Sequence, residues 1–211
     1  MADDGGTTTR GRAKRTTYVD ERTWAAFGEF KAGIIGRKGE SAVARVLGDL
    51  GVPALHDVLL ADLMGLTQVD HVVRARDAIL VIETKTYGGH ITGAVDRPEW
   101  VQHLADNETR HAFQNPAYQN HRHRRAVEAI LAGLDVSVAG YVVFAGSATF
   151  CDELQGAVVP IGCLPMLFRT DPPRAPNALH LERAWERLIV AAAAAEPRRA
   201  EHREVVRLRR A

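Results

Sequence analysis

Five consecutive apolar residues, Ala78-Ile79-Leu80-Val81-Ile82, run directly into Glu83-Thr84-Lys85. A strand apolar on both faces belongs inside a sheet that is covered above and below. This run therefore requires helices on both sides of it. Upstream, Gln68 to Arg74 reads as a second strand and Asp57 to Leu60 as a shorter one. The link of Ala75, Arg76 and Asp77 is short enough for an antiparallel hairpin.

The helices that could cover such a sheet are visible in the hydrophobic spacing. Val43, Val46, Leu47 and Leu50 recur at the helical period and predict a helix over 36–50, which Gly51 and Pro53 end. Gly88-Gly89 breaks the strand pattern, a small strand follows over 91–95, and a polar stretch runs to about Gln114. Asn115 is a predicted cap with Pro116 in the first turn of a second helix. That helix continues to about Leu134 on a stripe of Val127, Ile130, Leu131 and Leu134. A buried strand over 140–145 and a last helix carrying Leu181, Trp185, Leu188 and Ile189 complete the chain. The expected fold is α/β: a mixed sheet flanked by helices in the order αβββαβ, with a C-terminal helical extension. Residues 1–23 read as a flexible tail, 24–170 as the folded domain, and 171–211 as a Pro-rich linker followed by a basic helix.

Composition narrows the class without naming a partner. With 46% hydrophobic and 25% charged residues among 211, the chain has the make-up of a globular protein. Its 27 basic and 26 acidic residues nearly cancel. From Arg198 to Arg210, six arginines stand against Glu201 and Glu204, a local charge of +4. That stretch reads as a solvated helix end before it reads as a phosphate contact. Cys151 and Cys163 form no CxxC element, which points to a reducing compartment. The start shows no secretory pattern, and the longest apolar run, 188–195, is far short of the ~20 residues a membrane span needs. The expected location is cytoplasmic.

Glu83 and Lys85, two apart on a strand, share a face, while Thr84 points to the other. An acid and a base ending an apolar strand are costly to bury unless they pair or bind something. On its own the motif reads at least as well as a structural ion pair. Asp70 shifts the balance. If the hairpin pairs Val72 with Val81, Asp70 lies opposite Glu83, and adjacent carboxylates with no other purpose would repel. A hard ion such as Mg²⁺ needs only two or three such oxygens.

Glu40 lies on the core side of the first helix, either as a third acid or as a rim glutamate favoured by the helix dipole. Gln119 and His123 extend the buried stripe of the second helix. They position a water or phosphate in one reading and make core hydrogen bonds in the other, which is preferred for His123. Arg122, Arg124 and Arg125 flank that stripe and could meet a nucleic-acid backbone.

The ordered set Gly39-Glu40, Gln68-Val69-Asp70-His71, Val81-Ile82-Glu83-Thr84-Lys85, Gly89-His90-Ile91-Thr92-Gly93, Trp100 and Asn115-Pro116 with Gln119 resembles the nuclease-related domain, NERD, over about 33–150. That family is similar to the PD-(D/E)xK nucleases, whose core has the same αβββαβ order. The resemblance implies that Asp70 and Glu83 bind Mg²⁺ (or Mn²⁺), with the Thr84 carbonyl as a further ligand. It implies that Lys85 acts on the water or the phosphate, and that Glu40 and Gln119 are accessory catalytic residues. Asp77-Ala78 replaces the usual glycine turn, and Thr86 stands where Asn is common; both bear on turn geometry, not on the carboxylates.

The expected activity is metal-dependent phosphodiester hydrolysis on nucleic acid, with DNA favoured. The alternative is a nucleic-acid-binding or scaffold protein that keeps the fold without useful turnover. A zinc protein using His121, His123 and the cysteines is disfavoured, because the spacing fits no known arrangement. No helicase or kinase motif is present, so energy coupling would come from a helicase or other DNA-processing partner. Homodimerisation is left open.

Overall fold

The structure, a computed structural model, describes residues 21–104, 108–169 and 178–210. The chain divides into two compact units, 1–34 and 35–211. Of the first, residues 21–34 are helical; the second carries everything below. Of the predicted tail over 1–23, residues 1–20 lie outside the described residues, as does most of the Pro-rich linker, while 21–23 already belong to the first helix.

Helix α1 (Glu21–Asp49) starts earlier than the sequence spacing suggested. Strands β1 (Ala54–Asp62), β2 (Gly65–Arg74) and β3 (Ala78–Lys85) follow as an antiparallel meander. β4 (His90–Thr92), β5 (Glu99–His103) and β6 (Arg110–Gln114) come next. The stretch read as merely polar thus contains two strands. Helix α2 (Pro116–Ile130) then leads to β7 (Ser137–Phe144), which pairs parallel to β3 along its whole length. Short strands β8 (Thr149–Phe150) and β9 (Val159–Pro160) precede helices α3 (Ala178–Ala195) and α4 (Arg199–Arg210). The first sheet has the order β1-β2-β3-β7-β9, and the second β6-β5-β4-β8. The αβββαβ order holds, with β4–β6 inserted before α2.

β3 is central, and both of its faces are covered. Leu80 and Ile82 pack with Val43 and Leu47 of α1. Ile79 and Val81 pack with Ala126, Val127 and Leu131 of α2 and with Leu181, Ala184 and Leu188 of α3. Ile189, expected on the buried stripe of α3, is exposed; Ala184 takes the inward place, because the stripe follows Leu181 and Leu188. Asn115 caps α2 as expected, its side chain accepting from Ala117 N at 2.8 Å. Its amide donates to the carbonyls of Val95 and Arg97, so the same residue starts α2 and fixes the loop before β5. Asn120 donates to the carbonyls of Val81 and Tyr141 and ties α2 across β3 and β7.

One irregularity reaches the site. The β1–β2 ladder pairs His56 with His71 and Val58 with Val69 but skips the pair between them, Asp57 and Asp70. Asp57 has φ 51°, the one positive φ outside glycine among the described residues. Such a backbone costs a non-glycine residue on the order of 1–2 kcal/mol, and Asp is among the few types that visit it. Leu55 and Val72 consequently lie in the same cluster as Val58, Leu60 and Val69, which unbroken alternation would forbid.

The basic C-terminal stretch lies in α4 and the turn before it, and three of its six arginines meet acidic partners. Arg198 pairs with Glu201, Arg207 with Glu204, and Arg199 with both Glu196 and Asp57.

Candidate active site

The carboxyl end of β3 brings four of the expected residues together. Lys85 Nζ donates to Glu83 Oε1 at 2.6 Å and to Gln119 Oε1 of α2 at 3.0 Å. Glu83 and Lys85 thus share the face toward α2, as strand alternation requires. Thr84 points away, its hydroxyl buried without a hydrogen-bond partner.

The hairpin register matches the expectation, with Val72 opposite Val81 and His71 opposite Ile82. The ladder stops there, and Asp70 does not pair with Glu83 through the backbone. Its carboxylate instead accepts from Thr84 N at 2.7 Å. This bond lies beside the break in β2, which frees Asp70 from the regular pleat.

The electrostatics follow from four charged groups in a small volume. Burial and then the neighbouring Glu83 charge push Asp70 up to about 8, against the opposing pull of the Thr84 amide. Burial would raise Glu83 too, but His123 and Lys85 outweigh it and hold this carboxyl below its usual range. Lys85, which burial alone would lower, is raised by Glu83 and Asp70. Glu40 is raised by burial and by the charges of Asp57 and Glu83, which places it within electrostatic reach of the pair although it bonds to neither. His71, next to Asp70, is buried against His56 with their Nδ1 atoms 2.8 Å apart. Burial pushes it down to about 3, so it adds no positive charge here.

His123 makes the core hydrogen bond preferred for it and also reaches Glu83. Its Nε2 lies 3.2 Å from Glu83 Oε2, and its Nδ1 lies 2.8 Å from Thr67 Oγ1. The Glu83–His123 contact is close but poorly aligned, and it leaves both atoms without a well-directed hydrogen bond. The signal was its position four residues after Gln119 on the inward stripe. Arg122 is engaged with Asp62 and the Leu66 carbonyl, and Arg124 with Glu128.

Gly39 explains how α1 comes close enough to bring Glu40 in. A Cβ at this position would sit 1.9 Å from Thr86 Oγ1 and 3.2 Å from Thr86 Cβ. Gly39→Ala gains up to about 1 kcal/mol of helix propensity, but overpacking against a stiff β-branched neighbour costs about 1–3 kcal/mol. A net loss of stability is expected in denaturant titration, and an unchanged midpoint would show that α1 can withdraw from β3.

Among the described residues no group of three or more His, Cys, Asp or Glu side chains is arranged to hold a metal ion. The donor set here is smaller but of the right kind for a hard cation: two carboxylates and a backbone carbonyl. In a strand the N–H and C=O of one residue point the same way, so the Thr84 carbonyl faces the side on which its N–H meets Asp70. Of the two Glu83 oxygens, Oε1 meets Lys85 and Oε2 faces His123 without a well-directed hydrogen bond. The residues present fit such an ion.

Among the described residues no helix is long and apolar enough to cross a membrane. The model of the nuclease-related domain family matches residues 35–145. An uncharacterized protein of Bacillus anthracis is 36% identical over 100 residues, 46% of this chain and 46% of that relative. The chain therefore spans less than half the length of this curated relative. No solved structure matches. The match runs from α1 to the end of β7 and takes in Glu40, Asp70, Glu83, Lys85 and Gln119, and over half of its length the chain belongs to the nuclease-related domain family.

Proposed function

We propose that the chain is a metal-dependent nuclease that hydrolyses phosphodiester bonds in DNA, as an endonuclease or DNA-processing enzyme. One observation carries the reading. Asp70, accepting from the Thr84 amide at 2.7 Å, and Glu83, accepting from Lys85 at 2.6 Å, are buried together at the end of β3, and burial first and the Glu83 charge second push Asp70 up. Folding does not gather carboxylates against their own repulsion without a return, and a divalent cation supplies one.

Asp70, Glu83 and the Thr84 carbonyl would hold Mg²⁺ or Mn²⁺. Such an ion neutralises phosphate charge and makes water a better nucleophile. The Lys85 ammonium, aimed by Glu83 and Gln119, orients the attacking water or the phosphate oxygen that gains charge. The water gives up a proton as its oxygen bonds to phosphorus, the bond to the leaving deoxyribose oxygen breaks, and that oxygen takes up a proton. His123 holds Glu83 from the side opposite Lys85, and Glu40 adds negative potential at the rim. Free thiols at Cys151 and Cys163 suit a reducing compartment, and we place the enzyme in the cytoplasm.

Metal binding should expel a proton. With Asp70 at about 8, the metal-free carboxyl is mostly protonated at pH 7, and a cation binds only the ionised form. Affinity for Mg²⁺ or Mn²⁺ is expected to rise with pH up to about 8 and then level. Close to one proton should be released per ion near neutrality, read by calorimetry in buffers of different ionisation heat. Zero release would remove Asp70 as a ligand.

A second reading, nucleic-acid binding without turnover, has its own support: Glu83 is already paired with Lys85 at 2.6 Å. Assays on single-stranded, duplex and branched DNA decide between them. The nuclease cleaves with Mg²⁺ or Mn²⁺ and stops in EDTA, whereas the scaffold binds equally in both and cuts in neither.

A further inference from the structure

Asp57 is held in its left-handed conformation from outside β1. Arg199, the first residue of α4, sends Nη1 to both Asp57 carboxylate oxygens at 3.0 and 3.1 Å. Its Nη2 reaches the Asp57 carbonyl oxygen at 2.6 Å. Gln68 Nε2 donates to the same carboxylate at 2.6 Å, and Glu196 holds the guanidinium from behind through Nε and Nη2. One planar fork thus grips both the side chain and the backbone of the strained residue, which a lysine's point charge could not do.

The consequence falls on Asp70. The β1–β2 register brackets it opposite Asp57, between His56–His71 and Val58–Val69. An Asp57 carbonyl held by Arg199 is taken out of the ladder, so β2 is released from β1 at this step. Here the Asp70 carboxylate reaches across to the Thr84 amide of β3. If Asp57 relaxed to an extended φ, the ladder would close and Asp70 would return to regular alternation.

We infer that Arg199, beyond the residues matched by the family, is a positioning residue for the Asp70 carboxylate, acting through the strained Asp57 turn. The inference rests on reading Asp70 as part of the nuclease site, and it makes the C-terminal helix a support of that site. A surface ion pair is ordinarily worth little. What distinguishes this one is the backbone it holds.

The test compares wild type, Arg199→Ala and Arg199→Ala/Asp57→Gly in the full chain. Two quantities are read: exchange of the Thr84 amide by hydrogen–deuterium NMR, and Mn²⁺ affinity by calorimetry. In Arg199→Ala the Thr84 amide should exchange at least about tenfold faster, while α2 amides such as Val127 keep their protection. Mn²⁺ affinity should fall about 10–100-fold, the usual effect of losing a supporting partner. Glycine adopts positive φ without strain, so the double variant should recover both quantities relative to Arg199→Ala. Unchanged Thr84 exchange in Arg199→Ala overturns the inference. So does a loss that Asp57→Gly fails to recover, or one shared equally by Val127, since Arg199 would then only anchor α4. If wild type neither binds Mn²⁺ nor cleaves, the nuclease reading fails, and the Thr84 amide still decides the role of Arg199.

Discussion

Lys85→Ala is expected to abolish cleavage and leave a folded protein whose lost stability is recovered by Mg²⁺. Lys85 contributes positive charge beside Asp70 and Glu83, and its Nζ bridges Glu83 and Gln119. Removing it takes away the group that faces the water or the phosphate, a loss of about 10²–10³-fold in turnover or more. It also leaves Glu83, 1% exposed, without its shortest partner. Breaking a fully buried pair costs on the order of 3–5 kcal/mol. The cost here should be smaller, because Lys85 is 20% exposed and His123 still faces Glu83. In EDTA the variant should therefore melt below wild type. With Mg²⁺ bound by Asp70 and Glu83 the missing charge is replaced, and the gap should narrow or reverse. A purely structural ion pair behaves otherwise: the drop persists with Mg²⁺, and any residual cleavage follows the folded fraction.

The same residues show what could be read from the sequence and why the rest could not. β3 was legible because a run apolar on both faces has few other places to go. α2 was legible because Asn115-Pro116 is a start signal with a mechanism. The register of β2 on β3 followed from a short hairpin, and it held as far as His71 and Ile82. β5 and β6 escaped because each is short and largely exposed on one face. Their inward signal reduces to Trp100 and Phe113, which pack together in a small core of their own. Glu83, Lys85 and Gln119 gathered as expected, since strand alternation and helix periodicity place each on a face, whereas Asp70 joins them through the break in β2, which alternation does not foretell. The contact of His123 with Glu83 depends on how far α2 slides along β3, which neither periodicity encodes. The link from Arg199 to Asp57 spans 142 positions and rests on a backbone angle that no local pattern announces.

Asp70→Asn should yield a catalytically dead protein that is more stable than wild type without metal. The sign follows from the protons bound. Folded Asp70 titrates at about 8, against 3.8 for the ordinary group. Between those values the folded state holds a proton that the unfolded state has lost, so this residue's contribution to stability falls as pH rises through the window. Above about 8 the full penalty is present and the curve is flat. Asparagine is neutral throughout. Its oxygen can still accept from the Thr84 amide, and its NH₂ can donate toward Glu83 in place of a repelled charge. The advantage of Asn over Asp should be small near pH 4 and grow toward pH 8. Half of the displacement corresponds to on the order of 3 kcal/mol at about 1.4 kcal/mol per pKa unit. Adding Mg²⁺ should invert the order. Wild type gains stability in proportion to the logarithm of metal concentration over its dissociation constant, whereas the variant has exchanged an anionic ligand for a neutral amide and gains little. Melting temperatures across pH 4–9, with EDTA and with Mg²⁺, measure all of this in one series. If Asn destabilises at every pH and Mg²⁺ shifts both proteins alike, Asp70 is not a repelled carboxylate awaiting a cation, and the site must be read as structural.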